Sequence, residues 1–216
     1  MFKPFLLVAF LTSSAVASPS LAGIVKDAFT GLIDGASITV WDAETGKGVQ
    51  TLSSMGSFSF NARAEGDYLF KAEKDGRLPV LGAFHLADEQ HNINVVLLSA
   101  GSQDADAAGA GSPLRDAVRP PRSSGKPPKV RPAQVKKKIM PFYPDAERNA
   151  GVAGVVKIAM IILPDGSVND LVVLSAPNSN LALAALLSVR RWQYSPTYLD
   201  DQPVEASLTV DITFQR

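Results

Sequence analysis

The stretch "AGSQDADAAGAGSPLRDAVRPPRSSGKPPKVRP", Ala100 to Pro132, holds hardly an aliphatic side chain larger than alanine. Such a segment cannot bury enough apolar surface to offset the entropy of ordering it, so no hydrophobic core can run through it. The chain must therefore build one core before residue 99 and another after residue 132, with residues 99–132 as a linker. The first half of that linker reads as flexible, and "RPPRSSGKPPKVRP" as extended, polyproline-like chain. In a chain of 216 residues each flank has the size of a small domain.

The flank from Gly23 to Leu98 carries short alternating runs: "GIVKD", "ASITVWD", "GVQTL", "SFSFN", "DYLFKAEKD", "LPVLGAF" and "NINVVLL". Each is strand-length, rich in β-branched or aromatic residues, and bounded by turn signals such as "TG", "DG" and "EGD". Seven strands at this spacing predict an all-β sandwich, with Ile38, Val40, Phe58, Phe60, Tyr68 and Phe70 facing inward. Ahead of it, Lys3 is followed by an apolar run from Phe5 to Leu11 and by Ala15-Val16-Ala17, the pattern of a secretory signal peptide over residues 1–17, or 1–22 if the cut follows Ala22. The run is under half the ~20 residues that a membrane-spanning helix requires. The expected location is periplasmic.

From Ala133 the pattern becomes mixed. "YPDAERNAG" has a proline at a helix start and Gly151 at its end. "GVVKIAMIIL", a "PDGSV" turn and "VNDLVVLSA" form a hairpin. "NSNLALAALLSVRR" opens on capping asparagines and continues in strong helix formers. In "EASLTVDITFQ", Ala206, Leu208, Val210, Ile212 and Phe214 alternate with polar partners, as in a strand with one buried face. The order helix, strand, strand, helix, strand predicts an α+β domain with a three-stranded antiparallel sheet and two helices. In "VRRWQYSP", Pro196 forbids further helix, and Trp192 and Tyr194 read as aromatics that anchor the helix to the sheet.

Several chemistries are set aside by what the chain lacks. There is no cysteine, which excludes disulfides, thiolate zinc sites and thiol catalysis. Acidic and basic residues balance at 21 each, so no net field draws nucleic acid. The only histidines, His85 and His91, bracket Asp88 and Glu89 in "HLADEQH", a segment that reads as a solvated loop rather than a metal site. No nucleophile elbow, phosphate-binding loop or dinucleotide fingerprint occurs, and Asp200-Asp201 read as a turn. The expectation is a non-catalytic protein without metal or cofactor. Between Arg115 and Lys138 nine basic residues face only Asp116, a local cationic stretch that could meet lipopolysaccharide phosphates or peptidoglycan carboxylates.

The last 80 or so residues resemble the C-terminal domain of the TonB family of periplasmic energy transducers. The resemblance rests on "FYPDAERNAGVAGVVKIAMIILPDGSVNDLVVLSA", "ALLSVRRWQYSP" and "QPVEASLTVDITF". Residues 23–98 are similar to the carboxypeptidase regulatory-like domain, a non-catalytic transthyretin-like β-sandwich, through "GIVKDAFTGLIDGASITVWDAETGKGVQTLSSMGSFSFNARAEGDYLFKAEKDGRLP". The first resemblance implies a partner: the Ton box, an extended segment of outer-membrane TonB-dependent transporters. Glu205 to Thr213 would receive it by strand addition, with Glu205, Ser207, Thr209, Asp211 and Thr213 outward and Phe142 and Tyr143 lining the same site. Transducers of this family normally begin with an uncleaved anchor contacting a proton-driven motor, where this chain shows a signal peptide. The alternative is therefore a periplasmic scaffold not coupled to a motor.

Overall fold

The computed structural model describes residues 20–27, 31–62, 64–87, 91–97, 99 and 128–215. The signal peptide expected at residues 1–17, most of the expected linker, and Asp88 and Glu89 lie outside them.

The N-terminal region is a β-sandwich. One sheet joins β1 (Ser20–Asp27), β2 (Gly31–Leu32), β5 (Ser57–Asn61) and β8 (His91–Leu97); β1 pairs antiparallel with β2 and β5, and parallel with β8. The facing strands are β3 (Ser37–Asp42), β4 (Gly48–Leu52), β6 (Gly66–Glu73) and β7 (Val80–Leu86), paired in the order β7-β6-β3-β4. Ile38, Val40, Phe58, Tyr68 and Phe70 are buried in one cluster with Leu21, Phe84 and Ile93, and Phe60 packs against it, so the inward set read from the alternation occupies the core. Among the described residues the sandwich has eight strands rather than seven, because the two-residue β2 is too short to leave a periodic signal.

The C-terminal region follows the expected order: α1 (Asp145–Ala150), β11 (Gly154–Ile162), β12 (Val168–Ser175), α2 (Ser179–Val189) and β16 (Ala206–Phe214). Asn178 caps α2, its side chain accepting the Leu181 N–H at 2.9 Å. Gly151 ends α1 at φ 69°, a left-handed conformation natural to glycine. Short strands fill the margins: β9 (Val130–Arg131), β14 (Thr197–Leu199) and β15 (Gln202–Val204) form one small sheet, and β10 (Val135–Lys137) pairs with β13 (Gln193–Tyr194). Asp200 and Asp201 make the turn between β14 and β15, where Asp201 pairs with Arg131 at 2.9 Å and Asp200 accepts the Lys129 N–H at 2.8 Å.

The expected three-stranded sheet does not stand by itself. It continues into the sandwich as one seven-stranded sheet in the order β16-β11-β12-β7-β6-β3-β4. The joint is β12 against β7, with Leu171 opposite Ala83 and Val172 opposite Gly82. Each core borrows from the other region: Val172 belongs to the sandwich core, while Leu69 and Ala83 belong to the core under α2. Gly82 permits the approach, since a Cβ there would collide with the Phe70 ring and lie 2.5 Å from the Leu171 carbonyl oxygen.

The "VRRWQYSP" exit clamps the helix, the strands and the upstream segment together. Trp192 is buried and donates Nε1–H to the Ile139 carbonyl at 2.8 Å. Tyr194 donates its backbone N–H to Gly166, at the tip of the β11–β12 hairpin, at 2.9 Å. Gly166 has a φ of 86° and no room for a Cβ against the Tyr194 carbonyl, so this turn requires glycine. Arg190 lies one residue beyond α2 and reaches Asp67 of β6 at 3.1 Å.

Candidate functional site

A β-sheet edge exposes a row of backbone donors and acceptors, and the three strands β16-β11-β12 have two such edges. The β12 edge is closed by β7. Around that joint, polar groups that would be costly to bury alone are partnered. Asn169 accepts the His85 N–H through Oδ1 at 2.7 Å. His91, stacked on Phe84 with ring centroids 5.5 Å apart, donates Nε2–H to Asp170 at 2.6 Å, with His91 9% and Asp170 2% exposed. Asp170 has φ 49° and sits where the β11–β12 register slips, a β-bulge that turns its carboxylate to the histidine. Outside these, the carboxylate of Asp67 meets His85 Nδ1 at 2.9 Å and the Arg190 guanidinium.

The two histidines thus lie in strands rather than in the solvated loop that their polarity suggests. His85 belongs to β7 and His91 opens β8 as a buried side chain. Sequence reading had one signal for this, the unusual run "VNDLVV", in which two polar residues interrupt an apolar strand. Among the described residues no group of His, Asp and Glu has the composition of a metal site.

The β16 edge differs in every respect. β16 pairs with β11 over nine positions, from Gly154 opposite Phe214 to Ile162 opposite Ala206, and no other strand among the described residues lies beyond it. Ser207, Thr209, Asp211 and Thr213 are exposed. Glu205, also exposed, falls in the link between β15 and β16 rather than in the strand. The inward face is less covered than strict alternation predicts: Ile212 and Phe214 are buried, Ala206 and Val210 are intermediate, and Leu208 is 36% exposed. Cover thins toward the start of the strand, leaving both faces and the edge accessible there.

The two aromatic candidates part company. Tyr143 packs edge-on against Phe214 at 5.3 Å and donates its hydroxyl to the Val152 carbonyl at 2.7 Å, so it supports the end of β16. Phe142 is exposed and opens on a groove against α2. Burial holds the Tyr194 phenol above its ordinary pKa.

Two solved structures show a distant likeness. One is a C-terminal fragment of the pilus adhesin SpaC from Lactobacillus rhamnosus GG, at 15% identity and a TM-score of 0.33, covering 40% of this chain and 47% of that one. The other, described as a carbohydrate-binding protein from Bacteroides uniformis, is 12% identical with a TM-score of 0.32, over 89% of this chain and 78% of that one. The match thus spans about half the length of the adhesin fragment. Scores this low carry no argument. No curated protein matches the chain. Residues 140–215 match the family described as the Gram-negative bacterial TonB protein C-terminal. Roughly the last third of the chain is therefore similar to the TonB-type C-terminal domain, and a β-rich region precedes it.

Proposed function

We propose that this is a non-catalytic protein of the Gram-negative periplasm, in which β16 receives the Ton box of an outer-membrane TonB-dependent transporter by strand addition. One observation carries the reading: of the two edges of the TonB-type sheet, β12 is closed by β7 and β16 is left at the end of the seven-stranded sheet. An extended peptide laid on β16 completes the backbone hydrogen bonds of that edge, so affinity comes from the main chain and register from the alternating side chains. Ser207, Thr209, Asp211 and Thr213 flank such a peptide, with Glu205 at the entrance of the strand. The resemblance assigns Phe142 and Tyr143 to the same site, and the contact of Tyr143 with Phe214 favours its part in holding the strand. The cationic stretch ahead of the domain is a second contact, toward peptidoglycan or lipopolysaccharide. The sandwich belongs to this reading as the carboxypeptidase regulatory-like module that closes β12, and secretion by a cleaved signal peptide as the route to the periplasm.

Titration of the full chain with Ton box peptide, followed on backbone amides by NMR, tests the reading. Shifts are expected within residues 205–213. Thr209→Pro removes a backbone N–H and disrupts the strand, so it should abolish binding, whereas Ser207→Ala and Asp211→Ala should change affinity less than about fivefold. If no amide in that span moves at saturating peptide, the strand-addition reading fails. The protein is then a periplasmic scaffold without motor coupling.

A further inference from the structure

We propose that a second surface, formed by residues 136–142 and α2, docks on a bilayer containing anionic phospholipid. The backbone here is pinned. The Ile139 carbonyl accepts two bonds, from Ser188 Oγ at 2.5 Å and from Trp192 Nε1 at 2.8 Å, and Pro141 fixes its own φ and restricts Met140 before it. On this fixed segment the two largest apolar side chains point to water: Met140 is 75% and Phe142 69% exposed. They flank a groove of about 400 Å³ that also meets Leu183, Leu187 and Arg191.

The exposed apolar pair coincides with unbalanced positive charge. Lys136, Lys137 and Lys138 immediately precede it, and all three are exposed, as is Arg191. None of these four forms an ion pair among the described residues, although other cations of the same region do: Arg131 with Asp201 and Arg148 with Asp145. Lys138 is held over the buried Trp192 ring at 4.9 Å, which directs its ammonium along this face.

Apolar knobs beside unpaired ammonium groups match the two forces at a bilayer interface, burial of side chains below the headgroups and attraction to lipid phosphates. A lysine suits this role because it acts as a point charge and needs no bidentate geometry. A peptide seated in the groove is the poorer occupant. It would touch one flank of Met140 and Phe142 and leave their outer surfaces wet, whereas a bilayer takes in the convex side. Phe142 is shared with the proposed Ton box site and the three lysines with the cationic stretch, but Met140, Arg191 and the groove lie apart from the β16 edge, and the inference stands whether or not a Ton box binds there.

The test is co-sedimentation of the full chain with phosphatidylcholine vesicles, with and without phosphatidylglycerol, at low salt. Partition is expected only with phosphatidylglycerol and should weaken as salt rises. The M140S/F142S double variant and the K136Q/K137Q/K138Q triple variant should each lose about tenfold or more of that partition. Thermal unfolding of both should match the parent, because the altered side chains are exposed. Partition unchanged in M140S/F142S overturns the inference, because charge elsewhere in the chain would then account for binding. So does the absence of partition, or an acidic peptide that occupies the groove of a protein that ignores the vesicles.

Discussion

The two edges of the TonB-type sheet begin from similar material and end differently. β12 and β16 are antiparallel strands of similar length flanking β11. β12 carries Asn169 and Asp170 near its start, is buried through most of its length, and takes β7 as a neighbour. β16 carries hydroxyls and one carboxylate at exposed positions and ends the sheet. The difference lies in what closing an edge demands: a partner backbone that can come close, here through Gly82, and a partner for every polar group the closure buries, here His91 and the His85 N–H. Among the described residues β16 meets neither demand.

The largest expected effect is at the closed edge. Asp170→Ala leaves His91 buried beside the space of a lost carboxylate and removes a residue type that tolerates positive φ, so it should destabilise by about 3 to 5 kcal/mol. Chemical denaturation checks this, and a loss below about 1 kcal/mol would mean that the joint does not depend on the pair. Gly82→Ala is next. The added methyl strikes Phe70 and the Leu171 carbonyl, and overpacking of this kind costs about 1 to 3 kcal/mol. The penalty should fall in a variant that also carries Phe70→Leu, if the collision is with the ring.

Two turn carboxylates give a smaller, acid-dependent effect. The Asp42 carboxyl is held below its ordinary pKa by the Thr45 N–H, and that of Asp165 by the Ser167 hydroxyl. A depressed folded value stabilises above the unfolded carboxylate value of about 4, and this contribution is lost as pH falls through the lowered value. Asp42→Asn and Asp165→Asn should therefore flatten the acid limb of stability against pH below about 4, leaving the limb near neutrality unchanged. The smallest expected change sharpens the comparison most. Trypsin should cut between Arg115 and Lys138, and the two fragments should still elute as one species, because the β7–β12 joint holds without the link. Separate elution would show that the closed edge is only weakly closed.

Much of this was legible in local pattern. The alternation in β3 and β6 identified Ile38, Val40, Tyr68 and Phe70 as core, and the Asn178 cap, the Gly151 stop and the order of the C-terminal elements followed from residue chemistry. The joint was not legible, because pairing between β7 and β12 is a choice among strands separated by more than 80 residues, and neither strand's periodicity names its neighbour. Gly82 inside an apolar strand and the polar pair in "VNDLVV" were the available traces, yet each also fits a bulge or a bend. The histidines misled for a related reason. Their polarity suggested a loop, whereas a buried carboxylate from the other region makes burial of His91 affordable. At the candidate site, alternation gave the exposed positions of β16, but not the bareness of Leu208, which depends on how far the cover of α2 extends.

The continuous sheet also has a mechanical meaning. All seven strands run antiparallel to their neighbours, so β16 and β4 are the two margins of one hydrogen-bonded plate. A pull along the axis of β16 loads the nine-position ladder to β11 in shear, with its bonds resisting together rather than opening one at a time. The load then passes sideways through β12 and β7 into the sandwich without crossing a flexible joint. Tension applied at that margin would be borne by both cores, and the N-terminal region would serve as ballast for the strand that is pulled.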